Sequence, residues 1–189
     1  MVGSRPRFLQ YDCRDSVTDM LETERLQIVK FSEEDAPFVF ELLNTPAWIQ
    51  FIGDRGVRTL EEARQYIVNG PLKSYEQFGF GPYLVRLKES NRPIGLCGLF
   101  KRETLEDVDI GFALLPAYAG NGYAYEAASA VITYAVQEWK LPRIIGLTTA
   151  ANQYSIRLLE KLGLRFEKKI LFRTDGVESL LFGLTVSES

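Results

Sequence analysis

Gly120-Asn121-Gly122 stands between a strand-like run at 108–115 and a long apolar-periodic stretch at 123–139, and no other feature of the chain restricts its fold as tightly. A short connection of this kind brings the end of a strand to the start of a helix. Glycine reaches backbone conformations closed to other residues and lets a ligand come close to the main chain. The unbonded N–H groups of the helix's first turn, at the positive end of its dipole, suit a phosphate or pyrophosphate. A tight turn with nothing bound can use the same glycines. The stretch is not a Walker loop, since no Gly-Lys-Ser/Thr follows it. Nor is it a dinucleotide fingerprint, because Tyr125 takes the place of the third glycine.

The surrounding pattern sets this turn in one mixed α/β domain. The chain has 189 residues, the size of a single domain, and its 46% hydrophobic and 25% charged residues are ordinary for a globular protein. Alternation at 26–31 predicts a half-buried strand. Ser32 caps a helix carrying Phe38, Val39, Leu42 and Leu43, which Asn44-Thr45-Pro46 brings to a stop. Thr59 with Glu62 makes a capping box for a second helix through Ala63, Tyr66 and Ile67 toward Tyr75 and Phe78. Trp48, Phe51 and Ile52 fall on the loop between these helices. Segments 82–87 and 93–99 read as a hairpin, and 108–115 adds a third antiparallel strand. After the helix at 123–139 come a strand at 143–148, a helix at 152–162 ended by Gly163, and strands near 166–172 and 179–186 around Thr174-Asp175-Gly176. The expected organisation is an N-terminal extension at 1–20 and one domain at 21–189.

Composition excludes several chemistries. Lys and Arg total 22 against 25 Asp and Glu, a formal charge of 22 − 25 = −3, so there is no strong basic field for nucleic acid. There is no histidine, which removes Ser–His and Cys–His nucleophiles and any histidine-ligated metal. Two cysteines build neither a disulfide framework nor a zinc site, and no metal is expected. No run of about 18 apolar residues and no secretory signal is present. A cytoplasmic monomer or homodimer that binds neither nucleic acid nor membrane is the expectation.

The segment Ile110-Gly111-Phe112-Ala113-Leu114-Leu115-Pro116-Ala117-Tyr118-Ala119-Gly120-Asn121-Gly122-Tyr123-Ala124-Tyr125-Glu126-Ala127 resembles the acetyl-CoA motif of the GNAT N-acetyltransferases. Within that superfamily it is similar to the ribosomal-protein N-terminal acetyltransferase-like branch. Arg143 to Thr148, Asn152-Gln153-Tyr154-Ser155, the run from Leu159 to Leu164 and the opening Leu21-Glu22-Thr23-Glu24-Arg25-Leu26 extend the likeness over about residues 21–186. The resemblance implies an α/β (α+β) GNAT fold. Its central sheet would be mixed and mostly antiparallel, with about seven strands flanked by about four helices. The sheet would open at the cofactor site between the strands at 108–115 and 143–148. The pantetheine arm of acetyl-CoA would pair with Ala113, Leu114 and Leu115. The pyrophosphate would sit on amides of Ala119, Gly120, Asn121, Gly122, Tyr123 and Ala124, with Asn152 and Ser155 as further contacts. Ala117 stands where the family motif usually begins with Gln or Arg, so backbone amides must carry the phosphate contacts.

Acetyl transfer from a thioester to an amine needs a neutral amine, a held oxyanion and a thiolate that can leave. A backbone N–H near Leu114 can hold the oxyanion. Many family members protonate the thiolate with a tyrosine seven residues after the asparagine, a place that Leu159 takes here. Ser155 matches the serine that the ribosomal-protein branch carries near the thiol; it reads either as a donor to the sulfur or as an ordinary first-turn residue. Asn152 reads as a cofactor contact, a helix cap, or both. For the base, carboxylates remain: Glu103, Asp107 and Asp109, each of which also reads as a surface charge. Asp109 shares a strand face with Gly111 and Ala113. Cys97, in an apolar run, reads as core filler. Trp48, Phe51 and Ile52 read as an acceptor wall or a packed loop.

A lysine amine of pKa about 10.4 is neutral only about once in 10³ molecules at neutral pH, whereas an α-amine near 8 is far closer. Modest acid and base equipment therefore favours a peptide or protein N-terminus, or a small amine of lowered pKa. The expected function is direct acetyl transfer from acetyl-CoA to a primary amine in a ternary complex. Two alternatives stand beside it: a small-molecule amine acetyltransferase, and a catalytically silent acyl-CoA-binding regulatory module, which Leu159 and the missing histidine would suit.

Overall fold

A computed structural model describes residues 21–171 and 176–186. The extension expected at 1–20, and Thr174 and Asp175 of the last turn, lie outside the described residues. The described residues open with a corner, β1 (Leu21–Glu22) and β2 (Leu26–Lys30). A single 3-10 turn, Glu33–Asp35, with Ser32 and Asp35 in a capping box, leads into α1 (Ala36–Leu43). Next come α2 (Pro46–Phe51) and α3 (Leu60–Ile67), the latter started by the Thr59–Glu62 capping box. A π-helical turn at Val68–Leu72, with Pro71 inside it, carries the chain without a break into α4 (Lys73–Phe78). The antiparallel strands β3 (Pro82–Leu87), β4 (Pro93–Phe100) and β5 (Val108–Leu114) follow. Then α5 (Tyr123–Glu138), β6 (Arg143–Thr149), α6 (Gln153–Lys161), β7 (Arg165–Ile170) and β8 (Ser179–Thr185) complete the domain.

The sheet has eight strands in the order β1-β2-β3-β4-β5-β6-β8-β7. One face packs on α5 and α6 through Val108, Ile110, Ala127, Val131 and Ile144. The other packs on α1–α3 through Leu84, Leu96, Val39, Leu42 and Ile67. Cys97 is core filler, 1% exposed. Among the described residues no helix is long and apolar enough to cross a membrane.

One local expectation needs correction. Asn44-Thr45-Pro46 does end α1, with Asn44 as its C-cap, but Trp48 and Phe51, expected on a loop, do not lie on one. Thr45 instead starts α2: its Oγ1 accepts from the Trp48 N–H at 3.3 Å, and Pro46 occupies the first helical position. Proline there loses no bond, because the first N–H groups of a helix have no intrahelical partner. Trp48 and Phe51 are therefore helical.

The feature that positions the site is a break in the sheet. Among the described residues β5 and β6 are the one parallel pair, and they pair only at Val108 with Ile144 and Asp109 with Ile145. On their other edges β5 is paired with β4 from Asp109 to Leu114, and β6 with β8 along its whole length. Beyond Asp109 and Ile145 the two strands part.

Candidate active site

The parting leaves main-chain groups facing a gap. In the β4–β5 ladder the Leu115 N–H donates to the Ile94 carbonyl at 2.8 Å. Antiparallel bonding alternates, so Ala113 and Gly111 also bond toward β4, while Phe112 and Leu114 turn N–H and C=O the other way. β6 has left that side, so these groups open on a cleft of about 410 Å3. Asp109 to Leu114 of β5 and Leu147 and Thr148 of β6 line it, with Asn152, Tyr154 and Ser155 from the start of α6.

At the mouth stands the glycine turn. Gly120 and Gly122 adopt φ of 80° and 81°, the left-handed region that glycine enters freely. The Ala119 N–H already donates to the Pro116 carbonyl at 3.2 Å, so the donors start at Gly120 rather than at Ala119. The first helical bond of α5 runs from the Glu126 N–H to the Gly122 carbonyl at 3.0 Å, which leaves the amides before it without an intrahelical partner. Ala119 and Ala124 line the cleft, whereas Gly120, Asn121, Gly122 and Tyr123 sit outside its lining on the exposed turn and the first residue of α5. Gap and turn together offer what a thioester-bearing arm with a pyrophosphate needs: unpaired strand amides for the arm and a helix N-terminus for the anion. The expected cofactor fits.

A clamp that sequence reasoning missed holds this turn. Glu126, in the first turn of α5, accepts from the Thr23 hydroxyl at 2.5 Å, the Arg25 N–H at 2.9 Å and Arg25 Nε at 2.7 Å. Arg25 Nη1 donates to the Asn121 carbonyl at 3.1 Å, and its guanidinium lies 4.4 Å from the centre of the Tyr123 ring. Burial works against ionisation of Glu126, but the bonds from Thr23 and Arg25 outweigh it and hold the carboxyl below its usual range. Thr23, Arg25 and Glu126 all lie inside the motifs, yet nothing in the sequence joins residues 101 positions apart.

Of the three carboxylates weighed as bases, one reaches the cleft. Glu103 lies on an exposed turn away from it. Asp107 is bound to Arg143 Nε at 2.8 Å, and Arg143 also holds Glu167 at 2.6 Å. Asp109, 2% exposed, sits at the vertex where the strands part. Its Oδ2 accepts from Arg102 Nε at 2.9 Å, and its Oδ1 is buried and accepts no hydrogen bond among the described residues. Burial raises the carboxyl to a pKa of about 6 against the pull of Arg102 and of the Leu147 backbone N–H.

Ser155 is buried at the cleft wall, and its N–H donates to Asn152 Oδ1 at 3.1 Å, so Asn152 caps α6. Ala113 and Leu114 line the cleft, while Leu115 turns into the core with α1–α3. Leu159 is 1% exposed and fills space behind β6: a Cβ on Gly146 would lie 2.5 Å from Leu159 Cδ2. Opposite the gap, Trp48 and Phe51 of α2, Tyr66 of α3 and Phe100 of β4 form an aromatic wall. The Phe100 ring lies across Gly111, where a Cβ would meet it at 2.6 Å. Trp48 Nε1–H is buried and has no hydrogen-bond partner among the described residues. Burial raises the Tyr66 hydroxyl pKa.

Known proteins share this architecture. The acetyltransferase (GNAT) domain family matches residues 25–165. The uncharacterized N-acetyltransferase YnaD of Bacillus subtilis strain 168 is 31% identical over 147 residues, which cover 78% of this chain and 83% of YnaD. The crystal structure of a GNAT-family acetyltransferase from Bacillus anthracis superposes with a TM-score of 0.74 at 27% identity, covering 88% of this chain and 98% of that one. The ribosomal L7/L12 α-N-protein acetyltransferase RimL in complex with coenzyme A superposes with a TM-score of 0.76 over 87% of this chain and 96% of its own. At 17% identity that last likeness is one of fold.

Proposed function

Starting from the fact that the chain belongs to the acetyltransferase (GNAT) domain family, we propose that it transfers the acetyl group of acetyl-CoA directly to a primary α-amine. The observation that carries this reading is the unpaired edge of β5, whose main-chain donors face a cleft ending on the buried carboxylate of Asp109. Acetyl-CoA supplies an activated acyl thioester. Amides from Gly120 through the first turn of α5 receive its pyrophosphate. The Leu114 N–H bonds the carbonyl oxygen and strengthens that bond as charge develops there.

Asp109, ionised above about pH 6, takes the proton from the acceptor nitrogen as that nitrogen bonds the carbonyl carbon. The C–S bond then breaks and its electron pair leaves with sulfur. Ser155 donates a hydrogen bond to the departing sulfur, and the thiolate takes its proton from solvent. The products are the N-acetyl amine and the CoA thiol, and the proton on Asp109 returns to water. A thiol near pKa 8.5 needs no strong acid, which is consistent with Leu159 in place of a tyrosine. An α-amine suits a site whose base titrates near 6, because about a fifth of it is already neutral at physiological pH, against about one in 10³ for a lysine amine.

Calorimetric titration with acetyl-CoA, followed by thiol release with amine acceptors across pH, tests this. Micromolar binding is expected, with turnover rising as pH increases through about 6. Asp109→Asn should lower turnover by about 10²–10⁴-fold and abolish that limb, leaving acetyl-CoA affinity within about twofold. Absence of binding in a folded sample, or a variant with the same pH profile, defeats the reading.

A further inference from the structure

Two residues that line the acceptor half of the cleft each carry a buried polar atom that makes no hydrogen bond among the described residues, although the Leu147 N–H also acts on one of them, the Asp109 carboxylate. Trp48 lines the cleft, is 5% exposed, and its Nε1–H has no hydrogen-bond partner there. Asp109 Oδ1, at the vertex of the gap, is in the same condition. A buried donor or acceptor left unmet is unfavourable, and a ligand that supplies the missing atom recovers that free energy. One of the pair seeks a donor and the other an acceptor.

The walls around them are apolar. Phe51, Tyr66 and Phe100 all line the cleft and are only half-buried, so each has ring surface left for a ligand to cover. A donor-seeking carboxylate, an acceptor-seeking indole N–H and an aromatic wall describe one kind of molecule. We propose that the acceptor is an α-amine beside a carbonyl oxygen, on a residue with a large apolar side chain. Its amine lies at Asp109, its carbonyl oxygen accepts from Trp48 Nε1–H, and its side chain packs on Phe51, Tyr66 and Phe100. This rests on the acetyl-transfer reading and names the substrate class for that site. A small first side chain would leave the three rings facing water. An amine with no carbonyl would leave Trp48 unbonded.

The test measures thiol release at saturating acetyl-CoA with phenylalanine amide, alanine amide and phenethylamine, with rates expressed per concentration of unprotonated amine. Phenylalanine amide should exceed alanine amide in kcat/KM by on the order of 10- to 100-fold. It should exceed phenethylamine by about tenfold or more. Trp48→Phe should collapse the second ratio, keep the first, and leave acetyl-CoA affinity unchanged by calorimetry. Equal rates for the two amides, or a carbonyl preference that survives Trp48→Phe, overturn the proposal. If that variant fails to fold, the two wild-type ratios decide the matter by themselves.

Free phenylalanine and a dipeptide beginning with phenylalanine are run alongside. Turnover of either, with the same dependence on Trp48, supports the assignment and tells the source apart; rejection of both overturns it. Failure to bind acetyl-CoA at all would sink the acetyl-transfer reading itself. Binding with no turnover of any of these amines sinks only the acceptor assignment.

Discussion

The two halves of the cleft are made of different material. On the β5–β6 side the groups on offer are main-chain amides and carbonyls, exposed because two strands part and two glycines turn the chain. On the α2–α3 side they are side chains, Trp48, Phe51 and Tyr66, with Phe100 from β4. Backbone cannot be mutated, so the first half is kept by any sequence that preserves the turn and the split. The second half changes with each substitution on α2 or α3. A fold divided this way keeps one co-substrate and varies the other.

Three substitutions press on that division, in descending order of effect. Gly120→Asp places a side chain at a φ of 80° and a carboxylate where an anion is to bind. Acetyl-CoA should bind on the order of 10²-fold more weakly by calorimetry, since strain and like-charge repulsion act together. If affinity holds, the backbone half is misassigned.

The clamp gives the second. Glu126 puts a negative charge in the first turn of the helix that is to receive the pyrophosphate, and Arg25 offsets it at 2.7 Å. Arg25→Gln should weaken acetyl-CoA binding about tenfold, more at low salt than at high. Adding Glu126→Gln to the same chain should restore most of the loss. A clamp that acts only as a tether predicts the opposite, a double variant no better than the single one. Side chains would then matter to the backbone half only by holding it in place.

Thr45→Ala is the gentlest. Loss of the α2 cap should cost about 1 kcal/mol in denaturant unfolding. Fraying of α2 should raise the acceptor KM several-fold while acetyl-CoA affinity stays put. A parallel fall in both would show the halves to be coupled through α2.

The same division explains what could be read from the sequence. The turn, the strands beside it and the place of Asp109 on the face of Gly111 and Ala113 follow from short-range rules: glycine spacing and period-two alternation. The parting of β5 from β6 came through the family resemblance, and the register, two paired positions and no more, bears it out. Thr45-Pro46 misled because a proline that cannot continue one helix is equally suited to begin another. The clamp escaped because opposite charges 101 positions apart carry no mark of each other. Among Glu103, Asp107 and Asp109, alternation placed one on the right face, but only packing decides which is buried. Leu159 takes the place of the usual tyrosine acid; in the fold it is a core residue closing on Gly146.

The seam between β5 and β6 also bears on how long the protein lasts. A sheet zipped on one edge only opens locally at lower free energy than its fully laddered neighbours. The amides of Phe112 and Leu114 should therefore exchange with solvent deuterium quickly in the free protein. An arm lying along β5 acts as a borrowed strand and slows that exchange. By mass action it also adds stability that grows with the logarithm of its concentration, about 2.7 kcal/mol at a hundredfold excess over Kd. Proteases sample the opened population, so if the proposed acyl donor binds there, a cell rich in it should keep more of this protein folded and intact than a starved one.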